Sequence, residues 1–319
     1  MKRKGEIGKK AVVAEAFRRP CVPFMNARSA FFELIGEAGL GREDVILMPS
    51  YIGWSEREGS GVFDPVARSA ARFEFYRMTA DLSIDVEDFR QRLRAGNVRL
   101  VLFIHYFGWP DPNLAIAAKE SRELGAIVVE DEAHAMLTDL VSGKTGRHGD
   151  AAIFSLHKVL PFASGGLLVI NDSMDDGLVR RLVGSSNNLL EGNPLDYDLM
   201  AIAERRRENA EYLSQALEPL AGMIDPLHPA LPPEVVPQTY PVIIRSDRRD
   251  DLYHELNRIG YGVVSLYHTL IGEIDAQRYA DSHWLSKHIM NLPVHQDTTV
   301  RRLEGLVQTL EEICALKKN

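Results

Sequence analysis

Short apolar runs rich in β-branched residues recur along the first half of the chain: VILMP at 45–49, the stretch 98–106, AIVV at 126–129, AAIFSL at 151–156 and LLVI at 167–170. Each is too short for a helix and lacks the polar alternation of a half-exposed strand, so each reads as a buried strand. Before the first run a loop between Phe24 and Leu40 enters an amphipathic helix, and between later runs lie stretches with helical spacing, at 83–95 and at 110–124, where Asn113, Ala117, Ala118 and Leu124 fall on one face. Strands alternating with helices predict an α/β fold with a mostly parallel sheet, in which ligands bind at the strands' C-terminal edge.

After residue 170 the rhythm changes. A helix and loop are expected over 172–190, then a long polar helix beginning at Leu199, then a proline-rich break, HPALPPEVVP. Beyond it YPVIIRS reads as a strand, RRDDLYHELNRIG as a helix, YGVVSLYH as a strand and 300–316 as a closing helix. This divides the chain into a large domain, 1–198, and a small C-terminal α/β domain, 199–319. No internal repeat or low-complexity tract is present.

Composition narrows the picture. With 319 residues and 45% hydrophobic content there is ample material for one large core and a smaller lobe. A net charge of −8 argues against nucleic acid as a partner, while leaving room for a small anion held by a local basic cluster or a helix N-terminus. The two cysteines, Cys21 and Cys314, show no metal-ligand spacing and suit a reducing compartment. No apolar run approaches a membrane span, and the basic start MKRKGEIGKK lacks the apolar core of a signal peptide, so a soluble, cytoplasmic protein is expected.

The chemistry concentrates at strand ends. The run at 126–129 ends in Glu130 and Asp131, and the run at 151–156 leads through Ser155 and His157 to Lys158, with Gly165 and Gly166 opening the next. One carboxylate and one amine therefore reach the same edge of one sheet. Pyridoxal phosphate chemistry needs that pair: a lysine to hold the aldehyde as a Schiff base, and a carboxylate to keep the pyridine nitrogen protonated. Taken singly, Asp131 also suits a helix N-cap and Lys158 a solvated surface charge. At 26–29 Asn26, Arg28 and Ser29 crowd a helix start, where free N–H groups favour an anion; an ordinary N-cap with an exposed arginine is the alternative.

The segments VVEDEAHA, GDAAIFSLHKVLP and SGGLLV resemble the core of the DegT/DnrJ/EryC1/StrS family, fold-type-I enzymes that use pyridoxal phosphate and are best known as nucleotide-sugar aminotransferases. The resemblance extends over most of the chain, including LPVH at 292–295 in the small domain. It implies that Asp131 pairs with the pyridine nitrogen, that His134 lies near the ring, that Ser155 contacts the phosphate with Arg28 and Ser29 close by, and that Lys158 is the Schiff-base residue. It places His105 and Tyr106, from an HYFG segment, on the active-site edge, and Tyr267 and His268 toward the substrate. Structural roles at strand ends are the alternatives for these four.

Several segments depart from the family pattern. Two residues fewer separate the serine and the lysine than in its commoner form. Where relatives carry an aromatic packed near the ring, this chain has Ile52-Gly53-Trp54, which leaves Trp54 as the candidate one position along. A Gly-x-Asn-x-Arg segment that reaches a neighbouring subunit is missing; Asn187 or Asn188 could replace it, or belong to a polar loop without function. The resemblance implies a homodimer acting on small molecules, with glutamate as amino donor and a keto group of a nucleotide-activated sugar or related compound as acceptor. A dehydratase of the same fold, suggested by His157 beside the lysine, and a non-catalytic regulatory relative are the alternatives.

Overall fold

The computed structural model describes residues 19–185, 190 and 192–315; the candidates Asn187 and Asn188 lie outside them. In chain order the large domain comprises β1 (Cys21–Phe24), α1 (Ala27–Glu37), β2 (Val45–Pro49), α2 (Phe63–Ala67), β3 (Arg72–Tyr76), α3 (Val86–Ala95), β4 (Val98–Ile104), α4 (Leu114–Glu123), β5 (Ile127–Asp131), α5 (Met136–Ser142), β6 (Ala151–Ser155), β7 (Gly166–Ile170) and α6 (Asp176–Ser185). The strands lie in the order β1-β7-β6-β5-β4-β2-β3. From β3 to β6 every pairing is parallel, and β7 runs antiparallel to both β6 and β1.

This order follows from burial. The central strands β2, β4, β5 and β6 are covered on both faces, and Ile46, Leu47, Leu100, Val101, Val128 and Val129 are fully buried. Removing each such side chain from water contributes roughly 1.5–3 kcal/mol, which only a sheet with helices on both sides can capture. Pro49, Ile104, Asp131 and Ser155 end four parallel strands at one edge, and Gly166 begins β7 there. Helix α1 starts at the same edge. Asn26 caps it by accepting the Ser29 N–H at 2.8 Å.

The remaining described chain contains α7 (Leu199–Ala216), β8 (Ile224–Pro226), β9 (Thr239–Ile244), α8 (Arg249–Ile259), α9 (Ala280–His288), β10 (Ile289–Pro293) and α10 (Val300–Ala315), and Leu270, Ile271, Ile274, Tyr279 and Leu285 from it pack into the core of the seven-stranded sheet. Its sheet is antiparallel, in the order β10-β9-β8. Helix α7 joins the two cores: Leu199 and Ala203 pack with Met136 and Phe154, whereas Ala210 and Leu213 pack with Leu256 and Leu306.

One expected strand is absent. Over 261–268 only Val264 bridges to Asn291 of β10. Gly260, Gly262 and Tyr267 all have positive φ, which bends the chain out of an extended course. Conversely, the edge strand β3, with its alternating RFEFY, and the short strands β1 and β8 carry too little apolar signal to stand out in the sequence. No described helix is long and apolar enough to cross a membrane.

Candidate active site

Asp131 leaves the end of β5, and Lys158 follows β6 in a single 3-10 turn, so adjacent parallel strands deliver both groups. The Ala133 N–H donates to one Asp131 oxygen at 2.8 Å. Burial raises the Asp131 pKa, and that backbone donor and the Lys158 charge oppose the rise. Lys158 is pushed the other way: burial lowers its pKa, against the pull of Asp131 and Glu58.

Lys158 Nζ lies 3.1 Å from His134 Nε2. On the opposite side of that ring, the Phe107 N–H donates to Nδ1 over a long 3.4 Å. A backbone N–H can only donate, so Nδ1 accepts and the ring proton resides on Nε2. In that tautomer the imidazole donates to Lys158 whenever the amine is neutral. Burial, and after it the Lys158 charge, hold His134 well below its ordinary pKa, so the ring stays neutral. Phe107 achieves this at φ 58°, a strained value for an aromatic residue, while its ring stacks on His134 at 5.9 Å.

The start of α1 lies beside the end of β6 and the start of β7. Ser155 pairs in register with Gly166, and a Cβ on Gly166 would meet Asn26 C at 2.3 Å and Ala27 N at 2.5 Å. Only glycine lets β7 approach the first turn of α1 so closely, which brings the Ser155 hydroxyl toward that N-terminus. Ser155 Oγ has His157 Nδ1 as a neighbour at 3.3 Å. Neither Arg28 nor Ser29 offers its side chain freely: Arg28 donates to Glu58 O at 2.5 Å and pairs with Asp64 at 3.4 Å, and the Ser29 hydroxyl donates to Asn26 at 3.0 Å.

The other candidates divide. Tyr267 stands at the site, with its ring 5.9 Å from that of His134, and Tyr106 contacts it edge-on at 5.3 Å while donating its hydroxyl to Tyr51 O. His105 turns into the interior, where Nε2 lies 2.8 Å from Glu130 Oε2 and 3.2 Å from Glu132 Oε1. Burial would depress this imidazole, but Glu132 and then Glu130 outweigh it and raise its pKa to about 9. Trp54 is 46% exposed. His268 faces Tyr253, ring to ring at 5.1 Å.

Sequence reasoning missed the buried ionic cluster behind Asp131. Glu130 accepts from Gly146, His148 and Gly149 N–H groups at 2.6–2.9 Å, and Glu132 accepts from the Thr145 hydroxyl at 2.8 Å. The run Glu-Asp-Glu was its available signal: alternation sends Glu130 to the face opposite Asp131. It also missed Tyr51 and Gly53, whose part emerges only through contacts with the distant residue Tyr267.

A sequence profile of the DegT/DnrJ/EryC1/StrS aminotransferase family matches residues 19–187. No curated protein sequence matches the chain. Among solved structures, the aminotransferase TlmJ from Streptoalloteichus hindustanus is 19% identical, with a TM-score of 0.76 over 100% of this chain and 92% of that one. A DegT/DnrJ/EryC1/StrS aminotransferase from Brucella abortus is 17% identical, with a TM-score of 0.74 over 97% and 90%. The sugar aminotransferase Spr1654 of Streptococcus pneumoniae, described as putative and solved in its PMP form, is 15% identical, with a TM-score of 0.77 over 100% and 93%. At these identities the likeness is one of fold.

Proposed function

Because this chain belongs to the DegT/DnrJ/EryC1/StrS aminotransferase family, we propose that it is a pyridoxal phosphate-dependent aminotransferase that holds its cofactor through Lys158, Asp131 and Ser155. The observation that carries this reading is the meeting of Lys158, His134 and Asp131 at one sheet edge, beside the glycine-lined start of α1.

These residues fit the group. Lys158 would hold the aldehyde carbon covalently, Asp131 the pyridine nitrogen, and Ser155 with the first N–H groups of α1 the phosphate. When bound, pyridoxal phosphate supplies an electron sink that makes a proton on the amino donor's α-carbon removable. Once the amino donor displaces it from the aldehyde carbon, Lys158 Nζ, whose pKa burial lowers, is the base that takes that proton and returns one. His134, neutral and anchored by the Phe107 N–H, keeps the amine directed into the site. Asp131, half-buried and with one oxygen already committed to Ala133, stays ready to hold a cationic N–H.

The proposal extends to glutamate as donor, a keto group on a nucleotide-activated sugar or related compound as acceptor, and a homodimer. The family membership supports all three. Retention of a lysine at 158 favours amino transfer over dehydration. The test is borohydride treatment of the cofactor-loaded protein: it should fix the cofactor irreversibly to Lys158, and the Lys158→Ala variant should retain none after dialysis. Trapping at any other lysine would reject the assignment.

A further inference from the structure

Tyr267 carries a positive φ of 59° although it is an aromatic residue of the small domain. Such strain persists only where surrounding contacts hold it. The tyrosine ring stacks on Tyr51 at 4.9 Å and meets Tyr106, Phe107 and His134 edge-on at 5.3, 5.7 and 5.9 Å. Burial, and then the Asp131 charge, raise its hydroxyl pKa far above the ordinary phenol value, so the hydroxyl stays protonated as a donor beside Asp131.

Gly53 accounts for the space. A Cβ built there would meet Tyr267 Cδ1 at 3.0 Å and Tyr267 Cα at 3.6 Å. The backbone secures the approach: Gly53 bridges to Leu270, Trp54 N–H donates to Thr269 O at 2.9 Å, and Ile271 N–H donates to Ile52 O at 3.0 Å. The same strip of chain turns Trp54 outward to solvent. Residues 52–54 thus present no inward aromatic, and Tyr267 fills the space beside Gly53, stacked on the buried Tyr51 of the same loop.

We propose that Tyr267 is the aromatic residue that positions the cofactor ring, entering from the small domain into the space left by Gly53, in place of an aromatic from the 52–54 loop. This rests on the cofactor reading above. Tyr267 and Gly53 then form one functional unit across the domain boundary, and the small domain contributes to cofactor binding as well as to substrate binding.

The test is titration of cofactor-depleted protein with pyridoxal phosphate, read by quenching of intrinsic fluorescence and by the circular dichroism induced in the cofactor band. Wild type, Tyr267→Phe, Tyr267→Ala, Gly53→Ala and the Gly53→Ala/Tyr267→Ala double variant are compared, with far-ultraviolet spectra to establish folding. Tyr267→Ala should weaken binding by about fivefold, the equivalent of one lost ring contact, and change the dichroism. Tyr267→Phe should keep the dichroism, because the ring remains.

Gly53→Ala should weaken binding alone and add nothing in the Tyr267→Ala background, since it acts by displacing that ring. Additive losses, or unchanged dichroism in a folded Tyr267→Ala protein, would overturn the proposal. Trp54→Ala costing more than Tyr267→Ala would overturn it as well. Failure of the wild type to bind pyridoxal phosphate at all would instead remove the functional reading on which the proposal rests.

Discussion

His134 Nε2 stands 3.1 Å from Lys158 Nζ, and the Phe107 N–H on the far side of the imidazole makes His134 the donor in that pair. Burial lowers the lysine pKa from its ordinary value, which favours the neutral amine that attacks an aldehyde. Two neighbours act on it in opposite senses: the His134 donor and burial favour the neutral form, whereas the Asp131 carboxylate favours the ammonium.

The pH dependence of cofactor capture should register both neighbours. With the rate of borohydride-trappable pyridoxal phosphate uptake followed against pH, the wild-type midpoint should lie below 10.5, the ordinary lysine value. Asp131→Asn should move it lower, and His134→Ala should move it higher. Shifts of the same sign in both variants would contradict the arrangement.

Holding an amine in such a place costs stability. Lys158→Met should raise the melting temperature of the cofactor-free protein, by an amount equivalent to about 1–2 kcal/mol, because it exchanges a desolvated amine for an apolar side chain of similar length. The same variant should lose cofactor binding. A lower melting temperature would mean that the lysine is better accommodated than its surroundings indicate.

Behind Asp131, the His105–Glu130–Glu132 cluster should make stability pH-dependent. The His105 pKa is raised from 6.5 to about 9, so its contribution is complete below pH 6.5 and is lost as pH rises toward about 9. Burial, with Asp139 and Glu130 close by, likewise raises the Glu132 pKa, so its proton leaves the folded state over an alkaline window with the same sign. Denaturant unfolding at pH 6.5 and pH 9 should differ by on the order of 1–3 kcal/mol in favour of the lower pH. His105→Gln should flatten the difference, and a wild type whose stability rises over this interval would be inconsistent with a protonated cluster.

Gly166 should matter to both the fold and the anion site. Gly166→Ala drives a methyl group into the backbone of Asn26 and Ala27, at a cost of about 1–3 kcal/mol. It should also narrow the gap in affinity between pyridoxal phosphate and phosphate-free pyridoxal, measured by fluorescence titration. An unchanged ratio would place the phosphate elsewhere.

What could be read in the sequence was local. The buried parallel strands are marked by their β-branched runs, and Asp131 and Lys158 by their positions just after two of them. The junction proposed to hold the phosphate was half legible: Asn26, Ser29 and Gly166 stood out individually, but the contact between β7 and the first turn of α1 is tertiary. The small domain's 261–268 segment misled because its apolar run suits a strand, while Gly260, Gly262 and Tyr267 adopt positive φ values that break it. Trp54 and Tyr267 could not be ranked from the sequence, since roughly two hundred residues separate Gly53 from the ring that fills its space.

The most direct measurement mixes the cofactor-loaded protein with glutamate and follows the visible cofactor band together with the 2-oxoglutarate released. An aminotransferase working through Lys158 should lose the band and release 2-oxoglutarate in stoichiometric amount, and protein carrying Lys158→Arg, supplied with free pyridoxal phosphate, should release none at a comparable rate. A wild-type protein that binds the cofactor through Lys158 yet leaves the band unchanged with glutamate and every other amino donor would contradict amino transfer as its activity.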